Sequence, residues 1–310
     1  MSIGKGLKKA LKMIIIGQFI VLIFITVIGI ESWSFGQSNI KPLPNGTTIS
    51  GLSVGIAKIE REGDIVKLLI ACRKLAQTEF SHQDVDVFLL DDRGNTYRTV
   101  GMDVHEKVPI KILPIGFTWI YRVEINMPKQ APLKSVSFGN KAMQKLNFKF
   151  PYYPQSELDY NLKIINNYDI TNKWLRISRD ILIQFGKPVI EGVEKVEREV
   201  TKWVYYIRVP IKAKNEDYNP RRVEANVYYR IYLSSGEITW GLQSEGRAVM
   251  STFQGYVWTI PAQTTEESYH IVRTTVLSEK IKPISIIMIV ELSWSRKLYF
   301  GFLPISEKSK

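Results

Sequence analysis

The chain has 310 residues, 45% hydrophobic and 23% charged, with one cysteine, three histidines and a net charge of +12. At roughly 150 residues per domain this is length for about two domains, and the hydrophobic share excludes wholesale disorder. The lone cysteine excludes a disulfide framework within the chain and a cysteine-ligated zinc finger. The charge excess is dispersed: residues 1–30 carry four lysines and no acid, 31–150 carry 16 basic and 12 acidic side chains, and 151–310 carry 22 and 18. A nucleic-acid footprint is concentrated on one face or helix, so nucleic acid is not expected as a partner.

The N-terminal residues 1–12 hold Lys5, Lys8, Lys9 and Lys12, and residues 13–30 then run eighteen positions without a charge. As a helix that run is about 27 Å long, close to the thickness of the hydrocarbon layer. The lysines ahead of it keep residues 1–12 in the cytoplasm and put the rest of the chain outside. A cleaved signal peptide is the competing reading, but the apolar run is longer than an h-region and Glu31 to Gly36 form no A-x-A-like site. The expectation is an uncleaved signal-anchor at 13–30, with the body on the far side of a cell membrane.

Residues 31–50 read as a linker, with two prolines, two glycines and many polar residues. Beyond it, period-two alternation rich in Val, Ile, Tyr and Phe predicts strands over 65–71, 85–90, 118–125, 203–211, 223–233 and 284–292. Asp91 to Asn95 and Ser234 to Glu237 read as hairpin turns with glycine where positive φ is needed. Asn172–Phe185 is the best candidate for a helix, with a strand pair as the alternative. On a strand, Cys72 shares a face with Val66, Leu68 and Ile70, which makes it a core residue.

The chain also repeats itself. Gly55–Glu62 (GIAKIERE) matches Gly192–Glu199 (GVEKVERE) at five of eight positions. The turns at Gly94 and Gly236, Pro114 and Pro261, and Pro132 and Pro283 follow in the same order. The expected fold is therefore all-β: two tandem immunoglobulin-like β-sandwiches at 51–150 and 187–310, joined by a Tyr/Pro/Asn-rich connector at 151–186. D-D-x-G-N-x-Y at Asp91–Tyr97, then LPIGFTWIYRVEINMP at Leu113–Pro128 and L-x-S-V-x-F at Leu133–Phe138, resembles the small Ig-like extracytoplasmic domains of bacterial and archaeal lipoproteins and membrane anchors. The resemblance covers residues 51–140 and, more faintly, 187–292, and departs from the common pattern in having a membrane anchor instead of a lipobox. It implies adhesion, scaffolding or envelope roles and supplies no catalytic residues.

Chemistry-bearing groups are sparse. Asp84 and Asp86 alternate with valines on a strand, and Asp91 and Asp92 open a turn, so neither pair reads as a calcium loop. His82, His105 and His270 lie in separate segments without a third ligand of matching spacing for zinc. No hydrolase, P-loop or dinucleotide fingerprint is present, and no catalytic, metal or cofactor residue is assigned. Asn45-Gly46-Thr47 is a glycosylation sequon in the linker. On the strand 223–233, Val223, Ala225, Val227, Tyr229, Ile231 and Leu233 form the apolar face, which leaves Tyr228, Arg230 and Tyr232 on the other. Tyr beside Arg is the composition of binding hot spots, so these three are the candidate surface for a protein partner or a glycan. Together these features point to a non-enzymatic, membrane-anchored binding or scaffold protein of the cell envelope, part of a surface or secretion assembly; the alternative is an accessory or sensor subunit, which needs a membrane partner to signal. A hydrolase of envelope polymers is the third reading and needs carboxylates converging in a cleft.

Overall fold

The computed structural model describes residues 40–44, 46–77, 86–98, 113–139, 141–143, 155–246, 251–252, 255–292 and 298–306. The anchor at 13–30, the sequon asparagine Asn45, and His82, Asp84 and His105 lie outside the described residues. Among the described residues, no helix is long and apolar enough to cross a membrane.

The described chain is dominated by antiparallel strands. β1 (Thr47–Ile49), β2 (Leu52–Glu62), β3 (Ile65–Lys74) and β6 (Thr118–Asn126) form one sheet in the order β1-β2-β3-β6. β4 (Val87–Asp91), β5 (Thr96–Arg98), β7 (Leu133–Phe138) and β8 (Lys141–Met143) form a second, in the order β5-β4-β7-β8. Helix α1 (Gln155–Asn167) follows. The rest of the body is β9 (Trp174–Arg176), β10 (Ile181–Phe185), β11 (Val189–Val196), β12 (Lys202–Asn215), β13 (Arg221–Leu233), β14 (Ile238–Gly246), β15 (Ser251–Thr252), β16 (Gly255–Ile260), β17 (Thr265–Val276), β18 (Pro283–Leu292) and β19 (Leu298–Pro304). β14 pairs with β13 on one side and β17 on the other, so these strands form one continuous hydrogen-bonded network.

The pairing pattern occurs twice. β1–β2, β2–β3, β3–β6, β4–β5, β4–β7 and β7–β8 recur as β9–β10, β10/β11–β12, β12–β17, β13–β14, β13–β18 and β18–β19. Strand ends correspond as well: Lys74 donates its backbone N–H to Phe117 at 3.1 Å, as Asn215 does to Thr264 at 2.9 Å. The counterpart of β2 is broken into β10 and β11 at Gly186-Lys187-Pro188, and β15–β16 is an addition. The matching octapeptides start on these corresponding strands, but Gly55 faces Ala71 whereas Gly192 faces Tyr206. They mark the repeat without being in equivalent register.

Each of the six expected strands is present within a few residues, and both hairpin turns form, with Gly94 and Gly236 each at φ 85°. Three local expectations are corrected. The linker already contains β1, and Leu43 is buried with its N–H on Ser53 Oγ at 2.8 Å. Asn172–Phe185 holds the strands β9 and β10 instead of a helix. The helix is α1, inside the connector, where Leu158, Leu162 and Ile165 make an i, i+4, i+7 stripe toward the core.

Two apolar cores result. The first gathers Leu52, Val54, Leu68, Ile70, Cys72, Val87, Leu89, Val123, Val136 and Phe138, and it also takes in Tyr232, Ile287 and Phe302 from β13, β18 and β19. The second lies between β12/β17 and β13/β18, with Ile207, Val209, Val272, Ile231, Ile286, Met288 and Leu303. The β13/β18/β19 layer is therefore buried on both faces over much of its length. Each fully buried aliphatic side chain contributes roughly 1.5–3 kcal/mol relative to exposure.

Candidate binding surface

The double burial of β13 decides the fate of the residues that its alternation singled out. Tyr229, Ile231 and Leu233 fill the second core, as the pattern implies. On the opposite face, Arg230 and Tyr232 do not meet solvent. Tyr232 is 0% exposed in the first core, its ring centroid 5.2 Å from that of Phe117. Arg230 is 6% exposed, with its guanidinium 3.3 Å from the Trp240 ring centre and a hydrogen bond to the Tyr229 carbonyl at 3.1 Å. Tyr228 alone keeps partial exposure, and it donates its hydroxyl to Glu291 Oε2 at 3.3 Å. Burial, and then the Glu291 carboxylate, push its phenol pKa up. The expected open surface at Tyr228, Arg230 and Tyr232 is thus corrected: period-two alternation identifies two faces of a strand but does not say that one of them is wet.

What covers that face is a buried polar joint. Asn161, 0% exposed at the middle of α1, accepts the Thr118 N–H at 3.0 Å and donates to the Thr118 carbonyl at 2.5 Å and to the Tyr232 hydroxyl at 2.7 Å. One amide thus ties β6, α1 and β13 together. Arg73 reaches Thr118 Oγ1 at 2.9 Å and pairs with Glu157 of α1. Lys74, also 0% exposed, donates to the Leu113 carbonyl at 2.7 Å, and burial lowers its pKa to about 8. Buried polar groups this well connected fix one arrangement of the elements they join.

Tyr and Arg do meet on an exposed face, on the other layer. On β12 the inward residues are Tyr205, Ile207, Val209 and Ile211, so Tyr206, Arg208 and Pro210 point outward. Their partners across the ladder are Arg273, Ile271 and Tyr269 of β17, and Leu242 of β14 stands opposite Arg273. The Arg208 guanidinium lies 4.1 Å from the Tyr269 ring centre and pairs with Glu191 at 3.2 Å. Tyr206 donates to Glu194 at 2.8 Å, Arg273 is exposed, and Leu242 is 61% exposed. The alternation of Tyr206-Ile207-Arg208-Val209-Pro210 carries this face as plainly as that of β13, but it is legible only once the solvated layer is known.

The remaining candidates are structural. Cys72 is 1% exposed and burial pushes its thiol pKa up, which makes it inert. His270 is 4% exposed, with Nδ1 2.6 Å from the Tyr229 hydroxyl, and desolvation lowers its pKa to about 4. Asp91 caps its turn by accepting from Arg93, Asn95 and Tyr97. Burial works to raise its carboxyl pKa, and those hydrogen bonds outweigh it and hold the pKa low. Among the described residues, no group of three His, Cys, Asp or Glu side chains is arranged to hold a metal ion. No protein-family model matches the chain, and no curated protein matches it.

Proposed function

We propose that this chain is a membrane-anchored binding or scaffold protein of the cell envelope, built from two tandem immunoglobulin-like sandwiches outside the membrane. The anchor is the uncharged run 13–30 behind four lysines. Support for the tandem reading is the recurring strand pairing, in which β2-β3-β6 lies against β5-β4-β7-β8 in the Greek-key manner of that fold. The observation that carries the binding role is the solvated face with Tyr206, Arg208, Tyr269, Arg273 and Leu242 side by side. Tyr and Arg anchor interfaces because they bring large contact area and directional donors together.

Location is tested by labelling intact cells with a membrane-impermeant maleimide. The native Cys72 is buried and silent, so a Tyr218→Cys variant, replacing a side chain that is 87% exposed, reports on the body alone. Labelling before lysis is the expected result. Labelling only after lysis places the body in the cytoplasm and overturns the topology.

A further inference from the structure

Resting on that reading of the β12/β17 face, we infer that its ligand is an acidic polypeptide segment in an extended conformation. Three acids around the face are already engaged: Glu191 holds Arg208, Glu194 accepts from Tyr206, and Glu267 pairs with Lys212, while Glu245 of β14 stands opposite Ile271 in the ladder. Arg273 is exposed, stands between Tyr206 and Leu242 in the ladder, and has no ion pair among the described residues. Arg208 uses one N–H on Glu191, and a guanidinium has five. Held over the Tyr269 ring, its planar fork is steadied for a carboxylate, which lowers the ordering cost of a bidentate contact.

Spacing supplies the second part of the argument. Arg208 opposes Ile271, so Arg273 is its neighbour on one diagonal, with Cβ atoms about 7–8 Å apart, while the Arg208 guanidinium leans to the other diagonal, over Tyr269. Side chains on one side of an extended chain recur about every 7 Å, so an acidic segment laid along the face presents carboxylates to both arginines. The same geometry argues against a sugar ring as ligand. The Tyr269 face that would stack on a pyranose is covered by Arg208, while the exposed Leu242 side chain suits an aliphatic side chain of a peptide.

The test uses the full chain in detergent micelles, titrated with fluorescent poly-L-glutamate, and with polygalacturonate as the acidic carbohydrate. The expected result is poly-L-glutamate binding that weakens about tenfold or more in an Arg208→Ala/Arg273→Ala variant of unchanged thermal stability. A Lys129→Glu variant, reversing an exposed charge elsewhere, is expected to bind as the parent does. Three results overturn the inference: equal affinity in the double variant, an equal loss in Lys129→Glu, or tighter binding of polygalacturonate. A partner captured at Leu242 in cells, without poly-L-glutamate binding, removes the acidic-peptide assignment and leaves the binding role standing. Failure of both removes the binding role as well.

Discussion

His270 shows how much a single residue's surroundings decide. In the sequence it is one of three scattered histidines, and nothing there distinguishes a ligand from a core residue. In the fold it faces inward from β17 against Tyr229, and its desolvated ring resists protonation. Its pKa of about 4, against an ordinary 6.5, has a definite consequence. Above pH 6.5 neither state carries the proton, so stability is unaffected. Below it, the unfolded chain takes up a proton that folded His270 refuses, and stability falls until about pH 4. Between pH 7.5 and 4.5 the parent protein is expected to lose about 2 kcal/mol more than a His270→Gln variant, measured by chemical denaturation. Equal losses contradict the burial argument. Asn161 was illegible for a related reason: a polar residue in mid-helix reads as part of a linker until the backbone groups it satisfies are known.

At the scale of elements, strands were the legible part, because period-two alternation survives wherever one face is buried. β3, β6, β12 and β18 all sit where their Val/Ile-rich runs put them. α1 was not legible, since Asn161 interrupts its apolar stripe and the prolines and tyrosines around it suggest a connector. Close packing between layers was not legible either. Gly241 of β14 lies against the second core, where an added Cβ would sit 2.6 Å from Val272 Cγ1 and 2.9 Å from Tyr229 Cβ. Gly241→Ala is therefore expected to cost about 1–3 kcal/mol through overpacking. At Gly192 of β11, where an added Cβ meets nothing within 4 Å, the same substitution is expected to stay within about 0.5 kcal/mol. Denaturation midpoints at unchanged m-value check the pair, and similar costs at both sites would contradict this account of the β14–β17 contact.

For the whole molecule, the order of turns and prolines follows the recurring strand pairing, but the way the two sets of strands meet was not legible. The first core recruits Tyr232, Ile287 and Phe302 from the second set of strands, and α1 seals the joint. That burial removes Arg230 and Tyr232 of β13 from solvent, whereas Tyr206, Arg208, Tyr269 and Arg273 remain together on the solvated β12/β17 face. The most direct test of this claim is a photo-crosslinking amino acid placed at Leu242 in the full-length protein and activated in intact cells, with Tyr218 as the control position. The account predicts a discrete crosslinked partner from Leu242 and none from Tyr218, both sites being solvent-exposed. No adduct at Leu242, or the same adduct from both positions, would contradict it.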